Sequence, residues 1–213
     1  IIKNANILKK TSNGICIYAI EKKMLKKREI ILAEEVNVET TNMLIMQLLH
    51  LESESDKKEI TMYINSPGGE VTSGLAVYDV MTAIKCPIRT VCTGIAASMG
   101  AILFLAGDKR EMFTHGKVLI HDPLIRGGLS GSALEIKKHA ENIIEEREAL
   151  GKIIAERTGK SLEEVYKQTA KDEFLNALTN SGIQVMMFTA FWCPDCMYIK
   201  PFLPEIDEEV RNL

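Results

Sequence analysis

The sequence lacks the marks of several large classes of protein. Its longest apolar stretch, about residues 94–107, is too short and too rich in glycine to span a bilayer, so we expect no membrane association. Its 26 basic and 29 acidic residues nearly balance, and the net charge of −3 gives no reason to expect a nucleic acid partner. The chain has no G-x-x-x-x-G-K-S/T loop for ATP, no H-E-x-x-H and no paired Cys/His zinc pattern. We therefore expect no bound metal and no cofactor.

Cysteine is sparse in most of the chain. Cys16, Cys86 and Cys92 stand apart from one another and resemble small apolar side chains rather than a disulfide framework. This usage indicates a reducing compartment, and we expect the protein in the cytoplasm. Cys193 and Cys196 form a separate pair close to the last residue.

What is present is an alternation of strand and helix patterns. The 213 residues, 46% hydrophobic and 26% charged, are typical of one globular domain with an appendage. The alternation through the first 120 residues or so predicts an α/β fold with a largely parallel sheet and a site at the carboxyl ends of the strands. Strands are predicted at 28–36, 59–66, 88–94 and 117–123, and helices at 39–55, 73–84 and 97–107.

A longer helix follows this alternating part. Ser132 and Glu135 form a capping box that predicts its start, and Gly159 predicts its end. A second box, Ser161 with Glu164, opens another helix. A helix of about 25 residues is about 40 Å long, more than a domain of this size needs. We expect its outer part to pack against another subunit.

Two glycine-rich stretches carry the candidate chemistry. In "SPGG", residues 66–69, glycines after a strand leave amide groups uncovered, which suits either an oxyanion or simply a tight turn. Ser98 follows a strand and begins a helix, with the small residues Gly94, Ala96 and Ala97 before it. The free amides of a helix N-terminus favour negative charge there. Ser98 is thus either a nucleophile or an N-cap residue.

A serine nucleophile needs a base. His121 ends a predicted strand, which places it at the same sheet edge as Ser98 and makes it the best candidate. His50 and His139 lie on helical surface patterns, and His115 lies in a turn.

A third group must orient the imidazole. Asp122 is next to His121, but neighbouring residues of a strand point to opposite faces, so its carboxylate is a poor partner. Asp172 is either that third group or a solvent-exposed acid near the end of a helix.

These motifs together carry a resemblance to a known family. The segments "YINSPGGEVTSGLAVYDVM", "GIAASMGAILFLAG", "VLIHDP" and "TAKDEFLNA" occur in order and resemble the ClpP-type serine peptidases, from about residue 8 to residue 177. The resemblance implies the crotonase-like α/β fold with a protruding handle helix at 132–157. The N-terminal segment "ILKKTSNGICIYAIEKKMLKKR", residues 7–28, is similar to the family's pore loop.

The resemblance also implies the roles of particular residues. Ser98 would be the nucleophile, His121 the general base and Asp172 the residue that orients it. The backbone amides of Gly68 and Met99 would form the oxyanion hole.

Substrate and partners follow from the same resemblance. The loop residues Gly127, Gly128, Leu129 and Ser130 resemble a strand to which substrate peptide adds by β-augmentation. The family hydrolyses unfolded polypeptides inside two stacked heptameric rings, a tetradecamer, fed by a separate hexameric AAA+ Clp ATPase. The expected activity is therefore that of a serine endopeptidase.

The last residues depart from the family pattern. Residues 1–178 are assigned to the peptidase domain and 179–213 to an atypical tail. In the tail, Cys193 and Cys196 form a C-x-x-C pair that resembles the start of a thioredoxin-like motif, with possible redox activity. About 35 residues are too few for that fold. The tail is thus a fragment, or residues 183–191 replace the terminal strand of the peptidase.

Other functions stay open at this stage. A crotonase-like acyl-CoA enzyme would share the fold and the oxyanion amides without needing Ser98 and His121. An inactive ring subunit would pair with an active paralogue. A fusion with thiol oxidoreductase activity would act through Cys193 and Cys196.

Overall fold

Helices and strands alternate along most of the described chain. The computed structural model describes residues 6–11, 14–125 and 130–170. The strands are β1 (Asn6–Thr11), β2 (Gly14–Ala19), β3 (Glu29–Leu32), β4 (Ile60–Ser66), β5 (Ile88–Ala97), β6 (Lys109–Met112) and β7 (Lys117–Leu119). The helices are α1 (Ile20–Leu25), α2 (Val38–Glu54), α3 (Val71–Ala83), α4 (Met99–Ala106), α5 (Ala133–Thr158) and α6 (Leu162–Thr169).

The main sheet is parallel throughout. Its strands lie in the order β3-β4-β5-β6, and β7 also pairs with β5. Strand β4 follows one edge of β5, while β6 pairs with Arg89–Cys92 and β7 with Ile95–Ala97. The predicted α/β fold with a parallel sheet is confirmed. Strands β1 and β2 form a separate antiparallel hairpin.

One face of the sheet is fully covered by helices. In β4, Ile60, Met62 and Ile64 are completely buried, because α2, α3 and α4 pack over that side. The opposite face is partly open. There Arg89 bonds Thr61 and pairs with Glu111, with about a third of its side chain exposed.

Some boundaries differ from the sequence prediction. Strand β6 was not predicted, because its sequence "KREM" has no apolar alternation, and its side chains are half-buried or exposed. The strand predicted at 117–123 ends at Leu119. The chain leaves the sheet there because the amide of Asp122 donates to the carbonyl of Thr169 in α6 instead of to a neighbouring strand.

Helix α5 begins and ends where its caps predict. Ser132 and Glu135 form the capping box, and Gly159 closes the helix in the left-handed conformation at φ 72°. The second capping box, at Ser161, also forms. The first part of α5 is uncovered in the single chain, with Leu134 80% exposed. Packing of this part against another subunit stays a prediction.

Within the described residues, no helix combines the length and the apolar character needed to span a bilayer.

Candidate active site

Ser98 occupies a strained turn between β5 and α4. Its φ of 52° and ψ of −123° are unusual for a residue with a side chain and cost of order 1–3 kcal/mol. Its hydroxyl makes no capping hydrogen bond to α4. Ser98 thus stands at the N-cap position of α4 without capping the helix through its side chain, so capping does not account for the hydroxyl.

A backbone hydrogen bond joins the serine turn to the strand that precedes His121. The amide of Ser98 donates to the carbonyl of Leu119 at 2.9 Å. His121 follows two residues later and is half-buried. Ser98 and His121 both line a cavity of about 380 Å³ and a narrower pocket of about 20 Å³. The structure thus brings both side chains to one sheet edge, as the sequence predicts.

The imidazole of His121 is bonded by the backbone of the next residue. Its Nδ1 lies 2.6 Å from the carbonyl oxygen of Asp122. A carbonyl can only accept, so Nδ1 carries a proton, and in the neutral ring Nε2 then has the lone pair. This tautomer is the one that a general base needs at Nε2.

The carboxylate of Asp122 bonds Arg147 rather than the imidazole of His121. Its Oδ2 accepts from Nε of Arg147 in α5 at 2.8 Å. The guanidinium of Arg147 in turn lies 4.0 Å from the ring centroid of Tyr166 in α6. Asp122 therefore joins the end of the sheet to both C-terminal helices.

The glycine loop lies directly beside the serine turn. Gly68 has a φ of +91°, and a β-carbon there would lie 2.5 Å from the carbonyl oxygen of Ala97 and 2.9 Å from the amide of Met99. Its carbonyl accepts from the amide of Val36 at 2.8 Å, which fixes the loop on the other side. The two glycine-rich stretches therefore form one site.

The amides expected in the oxyanion hole differ in their bonding. The amide of Gly68 donates to Oγ of Ser66 at 3.1 Å, and that hydroxyl donates to the carbonyl of Glu34 at 2.6 Å. Met99 is the first residue of α4, so its amide has no acceptor within the helix. In this conformation the amide of Gly68 is bonded inside its own loop.

The larger cavity is acidic at its rim. Glu35, Glu70 and Glu146 line it together with Pro123 and Leu124. Among the residues that the structure describes, no group of three His, Cys, Asp or Glu side chains is placed to hold a metal ion.

The remaining histidines are not part of this site. His50 lies on α2, 3.6 Å from Glu54. His115 is exposed in a turn, and His139 is exposed on α5. None of them lines either cavity beside Ser98.

Several predicted site residues lie outside the described part of the chain. They are Asp172, Gly127, Gly128, Leu129, Cys193 and Cys196. Ser130 is described and is exposed just before α5.

No pattern in the sequence indicates the roles of Arg147, Tyr166 and Ser66 at this site. Arg147 stands in a charged run, "EEREAL", that resembles any solvated helix face. Only the docking of α5 and α6 brings it to Asp122.

One comparison with known proteins bears on this site. A protein family model described as Clp protease matches residues 12–182. The match spans Ser98, His121 and Asp172, and it ends before Cys193 and Cys196.

Proposed function

The chain belongs to the Clp protease family, and from that membership we propose that it is a serine endopeptidase with Ser98 as nucleophile and His121 as base. One observation carries the residue assignment. The hydrogen bond from the Ser98 amide to Leu119 sets hydroxyl and imidazole on the same cavity. Two features of Ser98 support a chemical role: its backbone is strained, and its hydroxyl makes no capping hydrogen bond to α4.

The proposed reaction passes through an acyl-enzyme. Oγ of Ser98 attacks the peptide carbonyl while Nε2 of His121 takes its proton, and the imidazolium then protonates the leaving amine. A water molecule then attacks the acyl-enzyme in the same way, giving its proton to His121. The acyl group leaves as the second product, and Ser98 regains its proton. The bond from Nδ1–H to the carbonyl of Asp122 supports this tautomer. Asp172 is proposed to orient His121 as well, by accepting from the same Nδ1–H that bonds the carbonyl of Asp122.

The proposed oxyanion hole consists of the amides of Gly68 and Met99. The backbone of Gly68 lies against Ser98 and Met99, which supports this assignment. To bind the oxyanion, the amide of Gly68 exchanges Oγ of Ser66 for the substrate oxygen. Such donors stabilise charge that develops only in the transition state.

Substrate and assembly are proposed at a coarser level. We propose that polypeptide substrate binds at Gly127, Gly128, Leu129 and Ser130, which follow the cavity-lining residues Pro123 and Leu124 in the sequence. Two stacked heptameric rings and a hexameric AAA+ Clp ATPase follow from the family, and the uncovered first part of α5 supports contact with another copy. Cys86 and Cys92 are free thiols, which supports the cytoplasm.

The competing functions are less well supported. An acyl-CoA enzyme on the same fold gives no reason for a strained serine beside a histidine. A subunit that had lost activity gives no reason to retain both. Thiol redox activity would rest on Cys193 and Cys196, beyond the residues that match the family.

The test is acylation of Ser98 by a fluorophosphonate, read by peptide mass spectrometry, together with peptide turnover. We expect Ser98 to carry the label and Ser98→Ala to lose turnover by roughly a millionfold. Ser53→Ala, at an exposed serine of α2, is the matched control and should keep full activity. An unlabelled Ser98, or a Ser98→Ala variant with normal turnover, would overturn the proposal.

A further inference from the structure

Asp122 is held at three different atoms. Its amide donates to the carbonyl of Thr169 at 3.2 Å, and its carboxylate accepts from Nε of Arg147 at 2.8 Å. Its carbonyl accepts from Nδ1 of His121 at 2.6 Å. The residue whose carbonyl bonds the imidazole is thus held by α5 through its carboxylate and by α6 through its amide.

The ion pair is well placed to resist solvent. The side chains of Arg147 and Asp122 are 32% and 29% exposed, so the charges are partly withdrawn from water. The ring of Tyr166 stacks under the guanidinium. That ring is itself packed tightly, because a β-carbon at Gly151 would lie 2.6 Å from its Cε1. Arg147 is therefore held by the ring of Tyr166 as well as by the carboxylate of Asp122.

We propose that Arg147 and Asp122 are positioning residues for the base: their ion pair fixes the Asp122 carbonyl, and through it the tautomer and direction of the His121 ring. This inference rests on the proposed peptidase function. Neither residue touches the reacting atoms. Without the pair, we expect the backbone at Asp122 to turn more freely and the imidazole to be aligned with the Ser98 hydroxyl less of the time.

A purely structural role would give a different result. If the pair only attaches α5 to the sheet, its loss lowers stability and leaves the turnover of folded enzyme unchanged. If it positions the base, kcat falls while KM stays nearly constant, because substrate binding does not depend on the imidazole direction. Small misplacements of a catalytic group cost up to about a hundredfold.

The experiment compares Arg147→Gln, Asp122→Asn and the double variant in the full-length assembled protein. We expect each single variant to lower kcat, and the rate of fluorophosphonate acylation of Ser98, by about ten- to a hundredfold. The double variant should be no slower than the worse single one, since both remove the same pair. Arg147→Lys, which keeps the charge, should recover part of the rate. Lys152→Gln, an exposed charge on the same helix, is the matched control.

The outcomes separate the two proposals. If Ser98 of the unaltered protein does not react, the proposed function fails and this inference falls with it. If Ser98 reacts normally in both single variants, only the positioning role is overturned. Circular dichroism and the thermal midpoint establish that the variants are folded. Should Arg147→Gln unfold, the near-isosteric Asp122→Asn decides; unfolding of both would show a structural role and overturn the inference.

Discussion

A β-carbon on Gly68 would lie 2.6 Å from the β-carbon of Ser98. Real side chains do not approach so closely, so the two backbones fit together only because residue 68 is glycine. The glycine also adopts a φ of +91°, which residues with a side chain avoid. Close approach and backbone conformation therefore both require glycine beside Ser98.

Replacing Gly68 by alanine should lower peptide turnover by more than its loss of stability explains. We expect Gly68→Ala to lower peptide turnover by about a hundredfold or more, because the loop amide moves away from the oxyanion position. Gly159→Ala is the matched control, since Gly159 also has a positive φ but no atom within 4 Å of its added β-carbon. It should lose about 1 kcal/mol of stability and no activity. Normal turnover by Gly68→Ala would contradict the prediction.

Arg28 caps the end of α2 and should matter for stability alone. Its guanidinium donates to the carbonyls of Leu51, Ser55, Lys58 and Glu59. Arg28→Ala should lower the free energy of unfolding by about 2–4 kcal/mol in a denaturant titration, because charged hydrogen bonds and the favourable helix-end charge are lost.

A second substitution separates hydrogen bonding from backbone strain at this position. Arg28 has a φ of 62°, so Arg28→Gly should be about 1 kcal/mol more stable than Arg28→Ala although both lose the same bonds. Lys27→Ala, at the exposed neighbour, controls for loss of charge. Equal stabilities of the glycine and alanine variants would contradict the strain argument.

The capping box of α5 should make stability depend on acid. The backbone amide of Ser132 and then its hydroxyl lower the pKa of Glu135. A lowered pKa stabilises the folded state above the ordinary glutamate value of about 4.3, and this contribution is lost as the pH falls through the folded pKa. Glu135→Gln should therefore lower the thermal midpoint at about pH 6, and the difference should shrink as the pH falls below the ordinary glutamate value of about 4.3. A midpoint difference that persists in acid would be inconsistent with this linkage.

Cys92 should be inert to alkylation in the folded protein. Burial raises the pKa of its thiol, against weaker opposing contributions from the backbone at Lys117 and Gly94. Little thiolate therefore exists at neutral pH, and the side chain is fully buried. Iodoacetamide followed by peptide mapping should find Cys92 unmodified until denaturant is added. Equal alkylation rates in the folded and unfolded chain would show that the strand opens locally.

The sequence predicted the parallel sheet and the meeting of Ser98 with His121 for a physical reason. Apolar runs that end in glycine or proline mark buried parallel strands, and the carboxyl ends of such strands share one edge. The two ends of α5 could also be predicted from the sequence, because Ser132 and Gly159 cap the helix through local geometry. The sequence signals for these features come from residues that are close together in the chain.

What the sequence could not reveal depends on how distant elements dock. Strand β6 forms from "KREM" because β5 offers a free edge, whatever the polarity of its own residues. The hydrogen bond from Arg147 to Asp122 joins residues 25 positions apart, and no periodic pattern in the sequence predicts it. The engagement of the Gly68 amide by Ser66 likewise depends on a hydroxyl direction that only the folded loop fixes.

Helix α4, which starts immediately after Ser98, is interior along its whole length, with every residue from Met99 to Ala106 buried. Such a helix cannot shift without disrupting the packing on all its sides, so Ser98 at its start is anchored to the core of the molecule. His121, by contrast, lies on a half-buried stretch that has already left the sheet. A rearrangement between competent and idle forms is therefore expected at the imidazole and at the loop of Gly68, with the backbone of Ser98 as the stationary reference.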